Sequence, residues 1–121
     1  MPHRSRICAV FFDSESDYEA SARFWSAALG RTLDFKQGEK YTTLKGGVEV
    51  ILQHVNEGHQ GMHIDIETDN VSAEIERLQK LGAKKKYDIE DWTVLEAPGG
   101  HAFCVVPAYS DAWPDGAQEW P

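Results

Sequence analysis

Apolar positions recur along the chain with two periods. Six short runs have the length and alternation of strands: Ile7 to Phe12, Tyr41 to Leu44, Val48 to Gln53, Met62 to Glu67, Trp92 to Leu95 and Ala102 to Val106. Thr32 to Phe35 and Lys84 to Tyr87 read as two further strands. Two other stretches carry helical spacing. Ser21, Phe24, Trp25, Ala28 and Leu29 form one stripe, behind a capping box of Ser16 and Glu19 with Asp17 adding negative charge, and Gly30 stops it. Val71, Ile75, Leu78 and Leu81 form the other, capped by Asp69 or Asn70 and ended by Gly82. Glu76 and Lys80 add an i,i+4 pair on its outer face.

These elements come in two sets. Leu-Gly ends each helix, at Gly30 and Gly82, and a Gly-Gly pair precedes a strand in each half, at Gly46-Gly47 and Gly99-Gly100. Each half reads β-α-β-β-β. Unit one spans about residues 6–55, a glycine-bearing linker 56–61, unit two about 62–107 and a tail without periodicity 108–121. Two copies are too few for a solenoid, so one pseudo-symmetric domain over residues 1–121 fits better.

Composition narrows the class. A chain of 121 residues with 41% hydrophobic and 26% charged residues builds a core without staples. Its net charge of -8 argues against nucleic acid and anionic membranes, which need clustered Lys and Arg. The charge is uneven: residues 1–56 balance seven acidic against seven basic groups, and the excess lies beyond. The longest purely apolar run, six residues, is too short to span a bilayer or to act as a signal peptide, so a cytoplasmic location is expected. Cys8 and Cys104 make no disulfide framework and read as buried thiols in strands. No phosphate-cradling, dinucleotide, zincin or nucleophile-elbow motif occurs.

His63 is the strongest candidate for chemistry. On its strand Met62, Ile64 and Ile66 are expected to face helices, leaving His63, Asp65 and Glu67 on the other face. His63 then serves as general base or ligand donor with Asp65 orienting its ring, or else as a hydrogen-bonded histidine on a hydrated face. Nothing near Cys104 in sequence lowers a thiol pKa, which favours a small core hydrophobe over a nucleophile. Trp92 is a candidate ligand-stacking surface. His3 lies in a frayed N-terminus, His54 and His101 read as surface groups, and the His59–His63 spacing is broken by glycines. Trp113 and Trp120 are expected to fold back on the domain or on a second subunit. Lys84, Lys85 and Lys86 read as a solvated strand edge.

The doubled unit, the helix segment DYEASARFWSAALG at 17–30, the strand MHIDIE at 62–67 and the closing APGGHAFCVV at 97–106 resemble the vicinal oxygen chelate superfamily. This group includes glyoxalase I, bleomycin- and fosfomycin-resistance proteins and extradiol dioxygenases. The resemblance covers about residues 6–107 and implies an α+β fold. Two βαβββ units would form a curved mixed sheet around a cup, with helices outside, commonly as a homodimer. It also implies four metal-ligand positions, which fall here on Val10 (Ala9 or Phe11 with a one-residue gap), Ile51, His63 and Cys104. Two of these are apolar. No cofactor is therefore certain, and any ion would be zinc or another first-row divalent metal on His63 and Cys104, with Glu49 or Gln53 as a third ligand. The reading that results is a glyoxalase-like protein binding a small aromatic or amphipathic molecule, lined by Val10, Phe12, Glu49, Ile51, Gln53, Glu67 and Trp92. His63 and Asp65 are its candidate catalytic pair. Two alternatives stand beside it: a metal-dependent lyase, isomerase or dioxygenase using His63 and Cys104, and an interaction module using the Trp-rich tail.

Overall fold

A computed structural model describes residues 2–36 and 38–121. Eight strands and two helices follow in the order β1 (His3–Ser14), α1 (Tyr18–Leu29), β2 (Tyr41–Leu44), β3 (Glu49–His54), β4 (Gly61–Thr68), α2 (Val71–Lys80), β5 (Lys84–Ile89), β6 (Trp92–Glu96), β7 (Ala102–Pro107) and β8 (Gln118–Trp120). Parallel and antiparallel pairs both occur, which makes this the expected α+β class with mixed sheet pairing. The chain divides into two compact units, Ala9–His63 and a second made of Met1–Cys8 with Ile64–Pro121; the division falls inside β1 and β4. Among the described residues no helix is long and apolar enough to cross a membrane.

In the unit of residues 9–63, β1 pairs parallel to β3 and β3 pairs antiparallel to β2. Ala22, Leu44, Val50 and Leu52 form its buried core, with Phe12, Tyr18, Trp25, Leu33 and Phe35 packed around them. Each large apolar side chain buried there contributes about 1.5–3 kcal/mol. The α1 face that packs is thus Tyr18, Ala22 and Trp25, rotated from the expected stripe, and Phe24, Ala28 and Leu29 stay exposed. The capping box does not form: Asp17 is the N-cap, in the left-handed region at φ 55°, with no side-chain cap bond. Residues 32–35 are not a strand. Leu33 and Phe35 are drawn into the core, and Thr42 Oγ1, which donates to the Asp34 carbonyl at 3.4 Å, is the contact that ties this segment to β2.

In the other unit, β4 pairs parallel to β7, β7 antiparallel to β6, and β6 antiparallel to β5. Ile64, Ile66, Val71, Ile75 and Leu78 pack around buried Leu95, Phe103 and Val105. Met62, expected on the same face as Ile64, is exposed. Asn70 caps α2 by accepting from the Ala73 amide at 3.1 Å, as one of the two expected caps, and Leu81 lies exposed beyond the helix. Glu76 and Lys80 pair at 3.1 Å on the outer face.

Two expectations about the chain ends change. His3 is buried rather than frayed, and residues 118–120 form β8, antiparallel to residues 3–5 of β1. The returning tail carries its tryptophans with it. Trp120 donates from Nε1 to Ser5 Oγ at 2.9 Å and stacks under the Arg77 guanidinium at 3.8 Å; Arg4 lies over Trp113. Aromatic rings that would be poorly hydrated are thus covered by cations and strand edges.

Candidate functional site

The register of β1 on β3 defines the first face. Ala9 pairs with Glu49, Phe11 with Ile51 and Asp13 with Gln53. In a parallel pair such partners lie on one side of the sheet, and i, i+2 positions share that side. Val10 and Phe12 therefore point the other way, and Phe12 stacks on Trp25 at 4.1 Å in the helix-covered core. The expected placement of Val10 and Phe12 in the lining is corrected by one residue, to Phe11. A one-residue slip moves every side chain to the opposite face. Glu49, Ile51 and Gln53 share the side of Phe11.

His63 joins this face through its ring. Its Nδ1 lies 2.6 Å from Asp13 Oδ2, and its ring stacks on Phe11 with centroids 4.3 Å apart and planes 14° apart. The His63 side chain is 22% exposed and Asp13 9%. Asp13, rather than the expected Asp65, is the carboxylate that orients the imidazole. A carboxylate on Nδ1 fixes the tautomer and the orientation of the ring. The other Asp13 oxygen, Oδ1, is buried with no hydrogen-bond partner among the described residues. Phe11 is the position that a one-residue gap gives, whereas Asp13 was missed because it ends the apolar run of β1. The signal was its alternation with Ala9 and Phe11.

In the other unit Asp65 pairs in register with Cys104, and Cys104 with Val94 on β6. An Asp65 carboxylate oxygen and the Cys104 sulfur come within 4.8 Å. Cys104 is partly exposed rather than buried, whereas Cys8 is fully buried and donates from Sγ to the Asp65 carbonyl at 3.5 Å. Trp92 alternates with Val94 and so lies on the Cys104 side of β6. His63 and Asp65, two positions apart on β4, share one face of that strand.

Glu67, expected to line a ligand site, is committed elsewhere. It is fully buried and accepts the Tyr109 and Ser110 amides, each at 2.9 Å, and the Ser110 hydroxyl. Arg6 Nε lies 3.3 Å away. Four donors satisfy one carboxylate, as a buried charge requires, so Glu67 anchors the tail and is not free to meet a ligand.

Sequence reading also missed Glu74. It sits fully buried on α2, bonded to His3 Nε2 at 2.8 Å and bidentate to Arg77 at 2.8 and 2.9 Å. Burial pushes its carboxyl up, but hydrogen bonds from Arg77, His3 and Ser5 and the Arg77 charge outweigh that and hold it below its ordinary value. The signal was a glutamate within the Val71–Leu78 stripe with an arginine three residues on.

A doubled strand–helix–strand chain with an oriented histidine on a strand face is the class of the vicinal oxygen chelate superfamily, and known structures agree. Three solved structures match over most of their length. One is titled an NAD-dependent benzaldehyde dehydrogenase from Legionella pneumophila (10% identity, TM-score 0.63, 84% of this chain and 98% of that one). Another is a hypothetical protein from Bacillus halodurans C-125 (13%, 0.63, 89% and 97%). The third is a glyoxalase/bleomycin resistance protein/dioxygenase superfamily member from Vibrio splendidus 12B01 (15%, 0.56, 84% and 96%). Such identities show a shared fold. The search of curated proteins gave no match. The model of the glyoxalase-like domain matches residues 9–106, and the chain belongs to that family.

Proposed function

We propose that this glyoxalase-like domain binds a small, neutral or cationic, aromatic or amphipathic molecule on the face that carries Phe11, Asp13, Ile51 and His63. One observation carries the reading: an imidazole held on Nδ1 by Asp13 at 2.6 Å and stacked on Phe11, with its edge still partly exposed. That arrangement orients a hydrogen-bonding group beside apolar surface, which is the composition of a ligand site. Phe11 and Ile51 offer the apolar contact. The partly exposed His63 ring offers the polar one, and the Asp13 carboxylate behind it and Glu49 on the same face bias the site against anions. Trp92 is a further aromatic candidate in this reading, and the protein acts as a homodimer.

Thermal shift and NMR titration with benzyl alcohol, benzylamine and benzoate test it. Benzyl alcohol and benzylamine stabilise the protein more than benzoate, and His63→Ala and Phe11→Ala each abolish the difference. Equal responses of the wild type and both variants to all three compounds would overturn the reading.

A second reading rests on the register of Asp65 with Cys104. A divalent ion is common in this superfamily, and the residues of this chain fit one only in part. In the unit of residues 9–63 the family's ligand positions hold Phe11 and Ile51, which coordinate nothing. Asp65 and Cys104, in register, offer oxygen and sulfur donors, and with the His63 nitrogen that the family resemblance implies the set would suit zinc or another borderline ion with an open position. An ion there would polarise an oxygen of a bound substrate. This is the reading as a metal-dependent lyase, isomerase or dioxygenase, with His63 and Cys104 among the ligands. One zinc or cobalt ion per chain after equilibrium dialysis, lost in Cys104→Ala and His63→Ala, supports this reading. Metal content unchanged by both substitutions removes it.

A further inference from the structure

A cleft lies between the segment of residues 32–36 and the edge strand β2. It holds about 430 Å³ and is lined by Thr32, Asp34, Lys36, Glu39 and Tyr41, Thr42, Thr43 and Lys45, with Thr42 Oγ1 reaching the Asp34 carbonyl at 3.4 Å. β2 is the outermost strand of its sheet. Its register fixes which backbone groups face the cleft. The Lys40 carbonyl accepts from the His54 amide at 2.7 Å, and Lys40 is the register partner of His54. Hydrogen-bonded pairs alternate along an antiparallel ladder, so Thr42 and Leu44 bond to β3 while the amides and carbonyls of Tyr41 and Thr43 point outward. Among the described residues no backbone hydrogen bond joins residues 41–44 to residues 31–36. The segment that would close this edge has been taken into the core by Leu33 and Phe35.

The far end of β2 is held rigid. Arg31 Nη1 donates to the Leu44 and Val48 carbonyls at 3.2 and 2.9 Å. Gly46 makes room for that guanidinium, since a Cβ there would lie 2.6 Å from Arg31 Cζ.

We propose that this cleft docks an extended, electrically neutral peptide, which adds a strand to β2 through the outward groups of Tyr41 and Thr43. An edge strand with unladdered backbone beside a cleft is the geometry of strand addition. Four residues of β2 span about 13 Å at the usual strand rise, enough for a four- to five-residue segment. Asp34 and Glu39 balance Lys36 and Lys45 along the walls, so main-chain hydrogen bonds rather than charge select the occupant.

The probe is a blocked pentapeptide, acetyl-Thr-Val-Thr-Val-Thr-amide, read by amide hydrogen exchange and amide chemical shifts. In the free protein the Tyr41 and Thr43 amides exchange at least tenfold faster than those of Thr42 and Leu44. Peptide at millimolar concentration slows Tyr41 and Thr43 and moves their resonances. Thr43→Pro deletes one outward donor without touching the β2–β3 ladder and abolishes the response, whereas Thr43→Ala keeps it. Three results would overturn the proposal: slow exchange of Tyr41 and Thr43 in the free protein, a response that survives Thr43→Pro, or protection that rises with protein concentration without peptide. The last would make the occupant a second copy of this chain.

Discussion

Two histidine–carboxylate pairs among the described residues, one in each unit, have opposite fates. His3 and Glu74 meet at 2.8 Å with side chains 3% and 0% exposed. His63 and Asp13 meet at 2.6 Å with side chains 22% and 9% exposed. Glu74 is saturated by His3 and a bidentate Arg77, which in turn lies over the Trp120 ring. Among the described residues Asp13 Oδ1 has no hydrogen-bond partner, and the His63 side chain is partly exposed. A pair whose hydrogen-bonding capacity is spent internally holds the fold together. A pair with capacity left over beside an aromatic ring is equipped to recognise something else.

The contrast is broken most severely at Glu74. Glu74→Ala leaves His3 and Arg77 facing an apolar void and is expected to cost about 3–5 kcal/mol, read from urea midpoints. Asp13→Ala is expected to cost about 1 kcal/mol by the same measurement. Equal losses would erase the distinction between the two pairs. Removing residues 109–121 takes two amides and a hydroxyl from Glu67 and the Trp120 bond from Ser5. A loss of more than about 3 kcal/mol is expected, because hydrogen bonds to charged groups are each worth about 1.5–3 kcal/mol. A truncated chain with unchanged stability that loses only a partner protein would favour the tail as an interaction module instead.

Asp13→Asn sharpens the functional side. It keeps shape and removes charge, so affinity for benzyl alcohol is expected to fall about tenfold, or about 1.4 kcal/mol, with stability nearly unchanged. Titration calorimetry of the two proteins checks this.

The smallest effect is on pH dependence. The Glu74 carboxyl titrates below its ordinary value of 4.5 in the folded chain. Its stabilisation is therefore complete above about pH 4.5 and is lost as pH falls through the lower folded value. Asp69, held down first by the Arg4 amide and then by the Arg4 guanidinium, titrates in the same sense. Urea midpoints of Glu74→Gln are expected to fall less steeply between pH 5 and 3 than those of the wild type.

Local patterns made much of this legible in the sequence. Asn70 caps α2 and the alternation of β4, β6 and β7 marks their faces, because caps and pleats depend on residues a few positions apart. What escaped was long-range. Asp13 and His63 are fifty residues apart, and only the register of β1 on β3 shows that Phe11, not Val10, stands beside Ile51. His3 and Glu74 are seventy-one apart, and burial of the N-terminus depends on β8, which three residues in a Pro-bearing tail hardly announce. Leu33 and Phe35 alternate as a strand does, yet their burial against α1, β2 and β3 drew the segment out of the ladder.

The most direct test of the central claim is a long-range ¹H–¹⁵N NMR spectrum of the imidazole nitrogens during titration with benzyl alcohol. The account predicts that the His63 Nε2 resonance moves with a saturable dependence on ligand while both nitrogens of His3 stay fixed. A His63 ring indifferent to the ligand, or the two histidines shifting together, would contradict it.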